Sequence, residues 1–192
     1  MSGKFSFLKL LVDNRTTIVD EYYRHGDREV LRHFAINNWD LMTLHYAEVG
    51  ITNEGEYFPT IIKFINNLPD NIKVSFLGIS IIRKGTTAFH TEHWTKVNGY
   101  YRIHVPLLNI DGASIDVIES DGVTCNYTYE LGNVYHYENP YDAHKPSNSH
   151  QDDRLMILLD FVDTNENPDL SVEELYSKYA SAHQEILGLP PS

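Results

Sequence analysis

The chain has 192 residues, with 15 Lys and Arg against 27 Asp and Glu, a formal net charge of −12, 42% hydrophobic residues and a single cysteine. That length and apolar content suit one globular unit, and an acidic surface without local basic clusters excludes nucleic acid as the main partner, because it would repel phosphates. Cys125 alone can form neither an internal disulfide nor a multi-thiolate zinc site, and nowhere do about 18 apolar residues run together, so a cytoplasmic protein with no membrane partner is expected.

No repeat of roughly 20 to 50 residues and no linker divides the sequence, so residues 1–192 are expected to form a single domain. An apolar segment over 5–12 is followed by helical candidates at 17–33 and 57–67, where apolar residues recur three and four apart. From residue 73 the texture turns to β. Residues 74–82, 100–108, 115–118, 123–130, 134–137 and 155–162 are short β-branched and aromatic runs, separated by Gly, Asn, Asp and Pro. Many short strands with turns and no helices between them predict an antiparallel jelly roll, mainly β with flanking helices, whose core spans about 73–163. A C-terminal helix is expected over 171–187, with Ser171 and Glu174 as a capping box after Pro168 and with Gly188 and Pro190 as the stop.

One group of residues is not explained by packing. His90 and Glu92 end a β stretch two residues apart, so on a strand they face the same side. His144, from a distant strand, can complete a set of three ligands. Two His and one carboxylate on one face leave the opposite coordination positions open, which suits non-haem Fe(II) oxygenases that bind a cosubstrate and O2. The same set serves Zn or Mn hydrolases and isomerases. With ten His in the chain, a His-x-Glu triplet also arises by chance in a binding or structural protein without turnover.

A second group consists of inward donors. Tyr101, Ile103, Val105 and Leu107 alternate with Tyr100, Arg102, His104 and Pro106, so a half-buried strand turns Arg102 and His104 to one face. Arg154 opens the apolar run 155–159. If these groups line an interior, they need an anionic partner, and the guanidinium fork matches a carboxylate. The plainer alternatives are that His104 is a hydrogen-bonded core histidine and that Arg154 pairs with Asp152, Asp153 or Asp160. Tyr127, Tyr129, Tyr135 and Tyr137 read mainly as barrel packing, with one or two of them facing a substrate.

Four motifs follow in order: Ser80-Ile-Ile-Arg-Lys-Gly-Thr leading to His90-Thr-Glu, Arg102-Ile-His-Val-Pro-Leu, Gly132-Asn-Val-Tyr-His-Tyr-Glu-Asn, and His144-Lys-Pro-Ser-Asn148 followed by Arg154-Leu-Met-Ile-Leu-Leu-Asp160. Together, from about Leu77 to Val162, they resemble the aspartyl/asparaginyl β-hydroxylase family, which includes the bacterial proline cis-hydroxylases. The resemblance implies a double-stranded β-helix (cupin-like) enzyme dependent on Fe(II) and 2-oxoglutarate. It further implies that His90, Glu92 and His144 hold the metal, that Arg102 and His104 orient the C1 end of the cosubstrate, and that Arg154, with Ser80, fixes the distal carboxylate. Glu92 departs from the Asp of the proline hydroxylases, and His93 competes with His90 as first ligand. The implied substrate is an amino acid, free or within a peptide or protein, with O2 as co-reactant. Trp94, Lys96, Asn98, Asn139 and Tyr141 are the candidates for substrate contact.

Overall fold

Apolar residues of the N-terminal third recur at helical spacing. The computed structural model describes residues 3–25, 34–36, 39–47, 49–87, 98–108, 110–118, 122–136, 143–169 and 171, and in it they form two consecutive helices, α1 (Lys9–Asp13) and α2 (Arg15–His25). A third helix, α3 (Pro59–Asn66), opens with a proline, whose fixed φ suits a first turn and whose missing N–H has no helical partner there. Glu21 of α2 is 5% exposed and accepts hydrogen bonds from the Thr60 N–H (3.2 Å) and hydroxyl (2.7 Å). Its carboxylate therefore caps the N-terminus of α3 and ties the two helices together. The helix expected over 17–33 is seen from Arg15 to His25, and residues 26–33 lie outside the described set. The helix expected over 171–187 lies outside it too, beyond Ser171.

The strands among the described residues are β1 (Phe34–Ile36), β2 (Trp39–Tyr46), β3 (Gly50–Ile51), β4 (Ile72–Ile82), β5 (Gly85–Thr86), β6 (Tyr100–Leu108), β7 (Ala113–Ile118), β8 (Thr124–Thr128), β9 (Tyr135–His136), β10 (Ala143–Asn148) and β11 (Arg154–Asp163). They pair antiparallel into two sheets. The larger has the order β1-β2-β4-β11-β6-β9 with β3 beside β2, and the smaller has the order β5-β10-β7-β8. From β4 onward the chain passes back and forth between them, placing β4, β6, β9 and β11 in one and β5, β7, β8 and β10 in the other. Eight strands wound in this way into facing sheets are the predicted double-stranded β-helix, or jelly roll. Five of these strands, β1, β2, β3, β5 and β10, lie outside the runs expected to be β. The β2 run is interrupted by Asp40, Thr43 and His45, and the β10 run Ala-His-Lys-Pro-Ser-Asn is polar with an internal proline.

Alternation along β11 shows where the two faces of the larger sheet go. Leu155, Ile157, Leu159 and Phe161 pack into the main core with Leu11, Ile18, Ile61 and Phe64 of the helices. Met156, one residue out of phase, packs with Ala113, Ile115 and Val117 of the smaller sheet. Helices cover one face and the second sheet covers the other, which is why all ten residues of β11 are buried. Each large apolar side chain so buried contributes about 1.5–3 kcal/mol. At Gly78 of β4, a Cβ would lie 2.8 Å from the Met42 carbonyl oxygen and from Phe76 Cζ, so this position requires glycine for the approach of β2. Among the described residues no helix is long and apolar enough to cross a membrane.

His45 of β2 is buried on the helix side of the sheet, and its Nδ1 has no hydrogen-bond partner. Burial pushes its imidazole down from 6.5 to about 4. The unfolded chain therefore takes up a proton at this position before the folded chain does. The protein keeps its full stability from this group above about pH 6.5 and loses up to ~3 kcal/mol as the pH falls to about 4. Urea unfolding at pH 7 and pH 4 should show this loss in the wild type and a smaller one in His45→Phe; equal losses in the two proteins would exclude His45 as its source.

Candidate active site

Residues in register across neighbouring strands project to the same face. On the larger sheet, the face opposite the helices carries successive rows: Trp39, Ile82 and Arg154; then Leu41, Ser80, Met156 and Pro106; then Gly78, Leu158, His104 and Tyr135; then Phe76, Asp160 and Arg102. This face looks onto the smaller sheet, since Met156 packs there. On the smaller sheet, His144, Pro146 and Asn148 are in register with Val117, Ile115 and Ala113, whose side chains are buried toward the larger sheet. His144, Arg154, His104 and Ser80 therefore line one interior from two walls, at 8%, 2%, 6% and 3% exposure respectively.

The register of β10 decides that His144 faces inward. On its outer face Lys145 pairs with Asp116 at 3.1 Å, and Asn126 donates to Asp116 at 2.6 Å. These two partners, Asn126 first, hold the Asp116 carboxyl below its usual range. The hydroxyls of Ser114 and Ser147 lie 2.7 Å apart. A slip of one residue would exchange His144 for Lys145 on the inner wall and break these contacts. At the end of β10, Asn148 donates from Nδ2 to the carbonyls of Ile82 and Asp152, both at 2.9 Å, and accepts the His150 N–H at 2.9 Å. One amide thus ties the β10–β11 turn to the end of β4.

Arg154 contacts a backbone carbonyl and an aromatic ring. It donates from a terminal nitrogen to the Ser147 carbonyl at 3.3 Å, and its guanidinium carbon lies 5.4 Å from the centroid of the Tyr129 ring. The Tyr129 hydroxyl is 3.3 Å from His104 Nδ1. Ser80 accepts a hydrogen bond from Trp39 Nε1 at 2.8 Å, which fixes its hydroxyl on the same wall. Arg102, expected as a cosubstrate donor, makes an internal ion pair. Its Nε and one terminal nitrogen donate to the two oxygens of Asp160 at 2.7 and 2.6 Å, a bidentate pair at 9% and 1% side-chain exposure. The anion required by this buried cation is internal, and Asp160 meets Arg102 rather than Arg154. Asn98 lies in the turn before β6, where it donates to the Glu166 carbonyl at 3.2 Å and accepts from Asn167 Nδ2 at 3.0 Å; these bonds place it beside the turn after β11.

His90, Glu92, His93, Trp94, Lys96, Asn139 and Tyr141 lie outside the described residues. Among the described residues no group of three or more His, Cys, Asp or Glu could hold a metal ion, and His144 is the sequence-derived ligand within that set. Its buried imidazole on the inner wall is a suitable donor for a first-row metal. The guanidinium, imidazole and hydroxyl groups opposite, Arg154, His104 and Ser80, suit a carboxylate ligand. Sequence reasoning missed Trp39, the pairing of Asp160 with Arg102 and the bridging position of Tyr129. Asp160 was offered there only as a partner for Arg154, and the cross-strand register shows that it meets Arg102.

The sequence profile of the aspartyl/asparaginyl beta-hydroxylase family matches residues 9–164. The chain belongs to this family. Among solved structures it is similar to an oxidoreductase of the 2OG-Fe(II) oxygenase family from Burkholderia pseudomallei, with a TM-score of 0.52 and 10% identity over 80% of each chain. It is also similar to SnoN, a non-heme alpha-ketoglutarate-dependent epimerase from nogalamycin biosynthesis, with a TM-score of 0.50 and 11% identity over 81% of this chain and 76% of that one. At such identities the likeness is one of fold. No curated protein sequence matches the chain.

If Arg102 and Asp160 serve each other, removing one leaves the other charge buried. Arg102→Met and Asp160→Leu should each lower unfolding free energy by about 3–5 kcal/mol, and the double replacement of both should recover most of it. Strictly additive losses in chemical denaturation would show that the two residues are not a structural pair.

Proposed function

We propose that the protein is an Fe(II)- and 2-oxoglutarate-dependent dioxygenase that hydroxylates an amino acid, free or within a peptide or protein, in the cytoplasm. The observation that carries this reading is the pairing of two walls of one interior: an inward histidine, His144, on β10, and a buried arginine, Arg154, in the same interior as His104 and Ser80. A metal ligand and a carboxylate-binding set in one lumen match a metal-chelating diacid. The family membership of residues 9–164 supports the same chemistry.

In this reading His144, His90 and Glu92 hold the metal. Bound iron and 2-oxoglutarate together supply the oxidising power, consuming O2, releasing CO2 and succinate, and delivering one oxygen atom to a C–H bond of the substrate. The chain's own residues bind, orient and exclude water. Arg154 fixes the distal carboxylate through its planar fork, at a depth where the charge is shielded from water and the contact is correspondingly strong. Ser80, oriented by Trp39, adds a hydroxyl to the same site. His104 donates to the 2-oxo acid end, and Arg102, held by Asp160, keeps the wall beneath it in place. The apolar Met156 and Leu158 between these groups keep the interior dry. Substrate contacts are assigned to Trp94, Asn139 and Tyr141, with Asn98 at the turn before β6.

The test is 2-oxoglutarate turnover without added substrate, measured as succinate released under air with Fe(II), together with anaerobic binding of 2-oxoglutarate to the Fe(II)-loaded protein. The wild type should form succinate and bind the diacid. His144→Ala should lose turnover, and Arg154→Met should bind at least about thirtyfold more weakly, the effect of removing one partner of a buried charged contact. A wild type that neither binds 2-oxoglutarate nor forms succinate, or an activity that survives strict exclusion of O2 and 2-oxoglutarate, would overturn the proposal.

A further inference from the structure

We propose that Tyr129 is a positioning residue for both ends of the diacid site, an inference that rests on the cosubstrate reading above. Tyr129 follows β8 and is 5% exposed. One face of its ring lies 5.4 Å from the guanidinium carbon of Arg154, and its hydroxyl lies 3.3 Å from Nδ1 of His104. The ring itself is fixed. Tyr135 packs edge-on against it at 4.9 Å and 82°, and the Tyr135 hydroxyl accepts the N–H of Glu130, the next residue along the chain, at 2.6 Å. A core tyrosine needs one partner for its hydroxyl and apolar neighbours for its ring. Here the hydroxyl meets one ligand-facing donor and the π face meets the other.

Two consequences follow for the site. The contact to Nδ1 fixes the rotation of the His104 imidazole, because flipping the ring would exchange that nitrogen for a carbon; Nε2 is then held on the opposite edge of the ring. The negative face of the phenol attracts the Arg154 guanidinium to one wall and so restricts the orientation of its fork. One side chain thereby couples the donor for the 2-oxo acid end with the donor for the distal carboxylate.

The experiment uses the full chain, loaded anaerobically with Fe(II), in calorimetric titrations with 2-oxoglutarate and with 2-oxobutanoate, which shares the 2-oxo acid end and lacks the distal carboxylate. Tyr129→Phe should weaken both ligands alike, by about fivefold to tenfold, since it removes the contact to His104 and keeps the ring against Arg154. In the metal-free protein the same variant should shift the 15N signals of the His104 ring. Tyr129→Leu, which also removes the π face, should weaken 2-oxoglutarate by roughly another fivefold and leave 2-oxobutanoate where Tyr129→Phe put it. Thermal melting reports whether each variant folds, and the isosteric Tyr129→Phe decides the matter alone if Tyr129→Leu does not. Wild-type binding combined with a Tyr129→Phe variant within twofold of it and with unshifted His104 signals overturns this inference alone. A wild type that binds neither ligand overturns the cosubstrate reading, and this inference with it.

Discussion

Coverage of the larger sheet on both faces is the constraint on which everything else in this protein depends. The helices take every second residue of β4, β6 and β11 into an apolar core, and the residues between are then turned into a closed interior shared with the smaller sheet. Any polar group on those alternate positions has left water and must be satisfied inside. Arg154, Asp160, Arg102, His104 and Ser80 all occupy such positions. Arg102 and Asp160 satisfy each other, Ser80 meets Trp39, and His104 and Arg154 both meet Tyr129.

How much of this could be read from the sequence depended on what each strand packs against. The runs that became β4, β6 and β11 were legible because at least one face is fully apolar, and in β6 the alternation correctly turned Arg102 and His104 the same way. β2 was not legible, because Asp40, Thr43 and His45 break its apolar run even though all three are buried, Asp40 beside Arg83. β10 was hidden for the opposite reason. Its outer face is polar and half-exposed, its inner face carries a histidine, a proline and an asparagine, and no hydrophobic signal is left.

The site was legible as a set of residue types and less so as a set of contacts. His144 and Arg154 were marked by the spacing of one motif, and the structure puts them on facing walls. The partner of Arg102 was not marked, because alternation assigns a face and says nothing of register across a sheet. Register here includes an irregularity between Leu155 and Met156, where β6 advances from Leu108 to Pro106. The role of Asn148 could not be read either. Its spacing from His144 was visible in the motif, but its three hydrogen bonds join a side chain to backbone groups of two other segments.

Those three bonds have a mechanical consequence. One amide ties the end of β10 to the turn leading into β11 and, through the Ile82 carbonyl, to the end of β4, so the two sheets cannot slide past one another here without breaking that bond. The end of the interior where Arg154 stands, in register with Ile82, is therefore pinned to both sheets by a single side chain.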